Sequence, residues 1–218
     1  MRVQTEARPE GIVPRSVGIV GSARGVVLNE GMPPAMTPEE IRCYRSHLER
    51  AERVVEYGAG GSTMMAVRAG VHTYTVESDS AWIARLRSRP IVVQAEGTGR
   101  LTLTRVDIGP VKGLGKPADD SKRENWPLYA AAPWDAKQTP DLVLIDGRFR
   151  VACILQAVLH APRDCIVFAH DFWNRPRYHV VLPYLHWQQS VGSVGVFRIG
   201  DETDGIEALL QRYSFVPD

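Results

Sequence analysis

The chain has 218 residues, 44% of them hydrophobic and 23% charged, and a formal net charge of +1. These values are typical of one globular α/β domain, and so small a net charge gives no overall field that would attract nucleic acid or an acidic membrane. No apolar run approaches the ~20 residues that span a bilayer, and the N-terminus lacks the apolar core of a signal peptide. We therefore expect a cytoplasmic protein without a nucleic-acid or membrane partner.

The three cysteines, Cys43, Cys153 and Cys165, do not have the spacing of a metal site. Cys153 and Cys165 lie within apolar runs, where a cysteine usually packs as a small hydrophobic side chain. The sequence therefore predicts buried thiols rather than a disulfide framework, as expected in a reducing compartment.

Residues 1–36 contain prolines, glycines and scattered aliphatic residues without a sustained period, which predicts an irregular N-terminal arm with one short strand at 16–20. The glycine-rich stretch at 18–25 is similar to a dinucleotide-binding loop. Pro33 and Pro34, however, interrupt the stretch where the helix after such a loop would run. We favour a leader segment here over a nicotinamide site.

The ordered pattern begins at Thr37, which can cap a helix, with Pro38 in the first turn and Glu40 in position to complete a capping box.

Residues 109–140 have no clear period and are rich in Gly, Pro, Lys and Asp, which predicts a loop insertion. Helical and strand patterns alternate through the rest of the chain. We predict helices at 37–52, 62–69, 81–87, 150–160, 177–185 and 205–213, and strands at 53–57, 72–76, 91–94, 101–106, 141–146, 165–169, 187–191 and 194–199.

Helices that alternate with nearly continuous apolar strands indicate a parallel sheet covered on both faces. Right-handed crossovers make this a doubly wound sheet, and such sheets bind ligands at the carboxyl ends of their strands. We predict one such domain over residues 37–218, with the functional site at the strand ends. Acids or glycines directly follow five predicted strands, at Glu56 to Gly61, Glu77, Asp107, Asp146 and Asp171.

The glycine loop after the first of these strands does not have the pattern of a diphosphate site. Thr63 stands where the last glycine of a dinucleotide motif would be, and Glu56 would repel a diphosphate. Glu56 can instead attract an amino group, and Glu77, 19 residues after Gly58, is placed to accept hydrogen bonds from ribose hydroxyls. Asp107 can meet the exocyclic amine of adenine. Together these residues fit a phosphate-free adenosine that carries an amino acid.

Residues 54–63 (VVEYGAGGST) resemble the loop of class I methyltransferases that binds S-adenosylmethionine (SAM). Residues 76–79 resemble the ribose-binding strand end of that family, residues 141–147 resemble its fourth strand, and the similarity spans about 37–172. The resemblance implies a Rossmann-like, mostly parallel seven-stranded sheet with helices on both faces and an antiparallel C-terminal strand. It also implies SAM as the cofactor, with contacts from Glu56, Gly58, Ala59, Gly60, Ser62, Thr63, Glu77, Ser78, Asp107, Ile108 and Asp146.

Several of these residues also have a purely structural interpretation. Glycines after a strand can serve a tight turn, and an Asp such as Asp107 can begin one. Ser78 and Asp79 can cap the helix that follows them. The sequence alone leaves these alternatives open.

Polar segments that follow the next two strands are candidates for the chemistry. We predict His170 as the general base, with Asp171 or Asp146 orienting it, because the ordinary pKa of histidine lies at about 6.5. The structural alternative is that His170 packs in the interior and Asp171 caps the segment after it.

Basic and aromatic residues near these acids are candidates for binding the methyl acceptor. Arg148 and Arg150 can hold an anionic group with their planar guanidinium groups, or they can pair with the neighbouring acids. Trp173, with Trp126 and Trp134, can form an aromatic wall, although tryptophans in a loop often anchor it to the body of the protein. We predict acceptor contacts from Arg148 and Trp173.

Some small-molecule O-methyltransferases of this superfamily hold a divalent metal with an Asp after strand four and an acid pair after strand five. Here His170 stands in the place of one acid and Arg148 lies close to Asp146, which is unfavourable for magnesium, and we predict no metal. The favoured hypothesis is a SAM-dependent methyltransferase that acts on a small molecule at oxygen, with a homodimer as a further expectation. The alternative is a non-catalytic SAM-fold module for binding or assembly.

Overall fold

A computed structural model describes residues 32–218, so the predicted strand at 16–20 and the glycine-rich stretch at 18–25 lie outside the described residues. The helices are α1 (Pro38–Leu48), α2 (Gly61–Ala69), α3 (Ser80–Arg87), α4 (Pro90–Gly97), α5 (Trp126–Asp135), α6 (Arg150–His160) and α7 (Ile206–Tyr213). The strands are β1 (Arg53–Tyr57), β2 (His72–Glu77), β3 (Leu101–Arg105), β4 (Val111–Lys112), β5 (Lys116–Pro117), β6 (Leu142–Ile145), β7 (Ile166–Ala169), β8 (Leu185–Val191) and β9 (Val194–Ile199).

Seven strands form one sheet in the order β3-β2-β1-β6-β7-β9-β8. Strands β1, β2, β3, β6 and β7 pair in parallel, whereas β9 runs antiparallel to both β7 and β8. The prediction of a mostly parallel, doubly wound sheet with an antiparallel C-terminal strand is confirmed.

Helices cover both faces of the sheet. Because side chains of one strand point alternately to opposite sides, each strand contributes residues to the packing on both faces. Val55 and Val143 pack in the cluster that includes α5 and α6, whereas Val54 and Leu144 pack in the cluster that includes α1 and α2. Each fully buried aliphatic side chain of this kind contributes about 1.5–3 kcal/mol. Within residues 32–218, no helix combines the length and apolar character needed to cross a bilayer.

The predicted strand at 91–94 is wrong, because these residues belong to α4. Pro90 occupies the first turn, and the helix buries Val92 and Ala95 while Val93 remains 56% exposed. A spacing of three residues between buried positions fits a helix and not a strand. The error arose because a short apolar run does not distinguish the two by its period.

The predicted loop insertion at 109–140 is also partly wrong, because it contains the β4–β5 hairpin and helix α5. The buried positions of α5 have a helical spacing that Pro133 and the alanines of this stretch obscure in the sequence. They are Trp126, Tyr129, Ala130, Pro133 and Trp134.

Smaller differences concern helix ends and one helix type. Helix α1 has the predicted capping box but ends at Leu48 rather than near residue 52. The predicted helix at 177–185 is a 3-10 helix at Pro176–Tyr184, which contains two prolines. Cys153 and Cys165 are buried, as predicted, and Cys43 is buried as well; all three are free thiols.

The turn from β1 into α2 is supported from beneath by the carboxylate of Glu56. This side chain is fully buried and accepts hydrogen bonds from the hydroxyls of Ser62, Thr63 and Thr75 at 2.5 to 2.8 Å. Burial raises the pKa of Glu56 to about 7, although the three hydroxyl donors oppose the rise. Glu56 thus connects β1, β2 and the first turn of α2.

The first described residues of the chain pack directly on this turn. Met32 is buried beside Ala59 and Met64. A Cβ atom at Gly61 would lie 2.2 Å from the backbone nitrogen of Pro34, so the close approach requires glycine. The segment that we predicted as part of an irregular arm therefore covers the start of α2.

We expect Glu56→Gln to remove a pH dependence of stability. The pKa of Glu56 lies at about 7 in the folded protein against 4.5 ordinarily. The folded state thus binds more protons between these values, and the wild type loses stability as pH rises through that range. Relative to the variant, the wild-type free energy of unfolding should fall by about 3 kcal/mol, measured by urea unfolding. Glu207→Gln, at an exposed position of α7, is the matched control; a constant difference between wild type and Glu56→Gln would contradict the expectation.

We expect Gly61→Ala to destabilise the protein by about 1–3 kcal/mol, because the new methyl group would overlap the backbone of Pro33 and Pro34. Gly97→Ala is the control, because a Cβ atom there meets nothing within 4 Å. Urea unfolding of both variants measures the difference. Equal stabilities would show that the segment does not pack on α2 in solution.

Candidate functional site

The glycine loop lies at the carboxyl end of β1, against the end of β2. Gly58 has a φ of +91°, and a Cβ atom there would lie 2.7 Å from Cα of Gly147, so this position requires glycine. The Gly60 N–H donates to the Thr63 hydroxyl at 2.8 Å, whereas a Cβ atom at Gly60 would touch nothing closer than 4.0 Å. The loop is therefore closely packed at Gly58 and open at Gly60.

Glu77 closes the same end of the sheet from β2. Its carboxylate is 8% exposed and accepts hydrogen bonds from the backbone N–H groups of Ala59 at 3.1 Å, Ser78 at 2.6 Å and Asp79 at 2.9 Å. Burial raises the pKa of Glu77, and these N–H groups oppose the rise. The predicted glycine loop and the predicted ribose carboxylate are thus joined by a direct hydrogen bond.

The β4–β5 hairpin lies over this carboxylate. The Ser78 hydroxyl donates to the carbonyl of Gly115 at 3.1 Å, and a Cβ atom at Gly115 would lie 3.3 Å from Oε1 of Glu77. Asp79 caps α3 by accepting from the N–H groups of Ala81 and Trp82. Ser78 and Asp79 therefore both have structural partners, one on the hairpin and one on α3.

Asp107 and Ile108 lie at the end of β3. The Asp107 carboxylate pairs with Lys122 and accepts from the backbone N–H of Gly109 at 3.2 Å, and the Lys122 bond lowers the pKa of Asp107. Ile108 is buried, and its carbonyl accepts from the Trp126 indole N–H at 3.1 Å. In this structure both residues hold the segment between β3 and α5 against the sheet.

Asp146, His170 and Arg150 form one cluster at the ends of β6 and β7. Nδ1 of His170 lies 2.9 Å from Oδ1 of Asp146, and the Arg150 guanidinium donates to the same oxygen at 3.0 Å. Arg150 also donates to the carbonyls of Gly147 at 3.0 Å and His170 at 2.7 Å. The cation of Arg150 therefore fixes both strand ends and neutralises Asp146.

The two ring nitrogens of His170 both face carboxylates. Nε2 lies 3.8 Å from Oε2 of Glu40, on the side opposite Asp146. Burial disfavours the charged ring, but the hydrogen bond with Asp146 and the charges of Asp146 and Asp171 outweigh it and raise the pKa of His170. The side chain of Asp146 is 22% exposed, and its Oδ2 accepts no hydrogen bond from residues 32–218. Of Asp146 and His170, Asp146 is therefore the residue with an oxygen available to a ligand.

The remaining predicted residues have other partners. Asp171 accepts from the side chains of Asn174 at 3.1 Å and Arg175 at 2.7 Å, and no backbone N–H of the described residues donates to its carboxylate. The Arg148 guanidinium donates to the carbonyl of Asp218 instead of pairing with Asp146. Trp173 is half-buried and packs edge-to-face on Phe172, 5.0 Å between ring centroids.

Trp126 and Trp134 belong to the buried core around α5, so they anchor this segment and do not form a wall with Trp173. Sequence reasoning also missed Glu40 as a member of the site, although it identified Glu40 in the capping box. In the part of the chain that the structure describes, no three His, Cys, Asp or Glu side chains gather in a way that could hold a metal ion.

No protein-family model and no curated protein matches the chain. Among solved structures, it is similar to a methyltransferase-like protein from Silicibacter pomeroyi DSS-3, with 31% identity and a TM-score of 0.74 over 83% of this chain and 96% of that one. An SAH-bound methyltransferase from Podospora anserina has 14% identity and a TM-score of 0.52 over 74% and 76% of the two chains. A putative caffeoyl-CoA O-methyltransferase from Staphylococcus aureus has 9% identity and a TM-score of 0.53 over 78% and 86%.

The two distant similarities show a shared fold. The similarity to the Silicibacter protein is of another kind, because it combines 31% identity with nearly complete coverage of that chain. This similarity agrees with the seven-stranded sheet and with the glycine loop that follows β1, a strand paired on both sides inside that sheet. The chain belongs to the class I SAM-dependent methyltransferase superfamily.

Proposed function

We propose that the protein binds SAM across the ends of β1 and β2 and transfers its methyl group to a small-molecule acceptor at oxygen. The observation that carries this proposal is the hydrogen bond from the Ala59 N–H to the Glu77 carboxylate, at 3.1 Å. It places a buried carboxylate beside the open backbone of Gly60, where an adenosine ribose needs an acceptor for its hydroxyls. Oε2 of Glu77 accepts only this one bond from the described residues, which leaves a lone pair for a ribose hydroxyl.

The charges along this edge also favour a sulfonium cofactor over a phosphate-bearing one. Glu77 ends β2 and Asp146 follows β6. These two strands flank β1, and both carboxylates face the region of the glycine loop. Carboxylates attract a sulfonium cation and an ammonium group and repel a diphosphate. Glu56 supports the loop from beneath, where its two oxygens accept hydrogen bonds from three hydroxyls of the chain.

We assign the proton-accepting role to Asp146 rather than to His170. Methyl transfer to a hydroxyl forms an O–C bond, breaks the S–C bond of SAM and releases the hydroxyl proton, which needs an acceptor within hydrogen-bond reach. Oδ2 of Asp146 is open, whereas both nitrogens of His170 face carboxylates. A carboxylate is in general a weaker base than an imidazole, which favours acceptors with acidic hydroxyls, such as phenols or enols.

A non-catalytic SAM-fold module is the second candidate. The observation that favours it is the β4–β5 hairpin, because Gly115 lies against Glu77 on the side where the ribose would bind. Such a module would bind SAM without methyl transfer to any acceptor, or would bind no SAM at all because the hairpin stays in place.

We also propose the domain limits that the sequence suggested: an arm at 1–36 followed by one SAM-binding domain at 37–218. The structure refines the view of segment 109–140, because α5 belongs to the core and the hairpin packs against that core through Val111. The free, buried cysteines fit the reducing environment of the cytoplasm.

We expect Glu77→Gln to weaken SAM binding by about 10- to 100-fold, because one carboxylate with charge-assisted hydrogen bonds contributes about 1.5–3 kcal/mol. Calorimetric titration with SAM and with S-adenosylhomocysteine measures the change. Glu207→Gln, which removes an exposed acid of α7, should bind SAM as the wild type does. Equal affinities of wild type and Glu77→Gln would refute the assignment of the ribose site, and absence of binding to the wild type would refute the cofactor.

A further inference from the structure

Glu40 of α1 lies in the interior beside the predicted chemistry, although the sequence gives it only a capping role. Its side chain is 2% exposed. Oε2 accepts from the backbone N–H of Thr37 at 2.8 Å and lies 3.8 Å from Nε2 of His170. A buried carboxylate is costly unless it is paired, so a partner charge at His170 is expected on energetic grounds.

The other carboxylate oxygen of Glu40 organises the chain around His170. Oε1 accepts from the backbone N–H and the hydroxyl of Ser193, both at 2.9 Å. The carbonyl of Ser193 in turn accepts from the N–H groups of Phe172 at 2.8 Å and Trp173 at 3.0 Å. Glu40 therefore holds the β8–β9 turn, and that turn holds the segment that follows His170.

The approach of Glu40 to this turn is close. Gly192 has a φ of +57°, and a Cβ atom there would lie 2.7 Å from Oε1 of Glu40. A side chain at this position would displace the carboxylate, so glycine is required both for the backbone conformation and for the contact.

The protonation state of His170 follows from the groups around it. A neutral imidazole has one nitrogen without a proton, and that lone pair would face a carboxylate on either side. The facing groups are Glu40 from α1, Asp146 from the end of β6, Asp171 from the end of β7 and Arg150 from α6. Three negative groups and one positive group favour the imidazolium.

We propose that Glu40 is a positioning residue that holds His170 as an imidazolium between itself and Asp146. The imidazolium then fixes Oδ1 of Asp146 and leaves Oδ2 directed to the acceptor. The catalytic consequence rests on the proposed function, whereas the charge of His170 and its dependence on Glu40 do not.

The experiment is a pH titration of the His170 ring by nitrogen-15 NMR in the full chain. In the wild type, both ring nitrogens should carry protons near neutral pH. In Glu40→Gln the midpoint of the His170 titration should move to lower pH, because the charge is lost while the amide oxygen can still accept from Ser193. Glu39→Gln is the matched control, because it removes an exposed acid from the neighbouring position of the same helix, and it should leave the midpoint unchanged.

A neutral His170 ring in the wild type near neutral pH would overturn the proposal, whether or not the variants fold. A folded Glu40→Gln protein with an unchanged His170 midpoint would also overturn it, since a purely structural role predicts that result. If the titrations behave as expected but the wild type neither binds SAM nor methylates phenols, the proposed function fails and the positioning role of Glu40 stands.

Discussion

The site depends on one shared register among the parallel strands. Tyr57, Ile145 and Ala169 are direct neighbours on the last rung of β1, β6 and β7. Because side chains alternate between the faces of a sheet, the residues that follow these three begin at the same level and meet at one edge. A shift of one residue in β6 would turn Asp146 to the opposite face of the sheet and remove it from His170.

Because the strand ends meet at one edge, their carboxylates lie close together and repel one another. A buried cation offsets this repulsion. Arg150 lies in the first turn of α6 and donates to Asp146 and to the carbonyls of Gly147 and His170. A buried cation with several hydrogen bonds lowers the cost of burying neighbouring carboxylates. Among the described residues no cation offsets the burial of Glu56, and burial raises its pKa to about 7 although three hydroxyls oppose the rise. The pKa of Asp171, which accepts hydrogen bonds from Asn174 and Arg175, is lowered.

Much of this arrangement could be predicted from the sequence, because it depends on neighbours along the chain. Strand β1, the glycine loop and Glu77 follow from an apolar run that ends in residues with special backbone or charge. The partnership of Glu40 with Ser193 could not be predicted, since the two residues are 153 positions apart and neither has an unusual local context. Helix α5 was missed for a different reason, because one of its buried positions is Pro133, a residue that usually ends a helix.

The packing of α5 also limits how a ligand can reach Glu77. Trp126 and Tyr129 are part of the core, so α5 cannot leave the sheet without exposing large aromatic surfaces. The β4–β5 hairpin has two-residue strands, and Leu114 at its tip is 88% exposed. Its displacement would expose only two apolar side chains, the half-buried Val111 and the buried Pro117, and the contact with Ser78 is one hydrogen bond of about 1 kcal/mol. Movement of the hairpin over residues 111–117 therefore costs less than movement of α5 or of the sheet, and it is the lower-energy way to uncover Glu77.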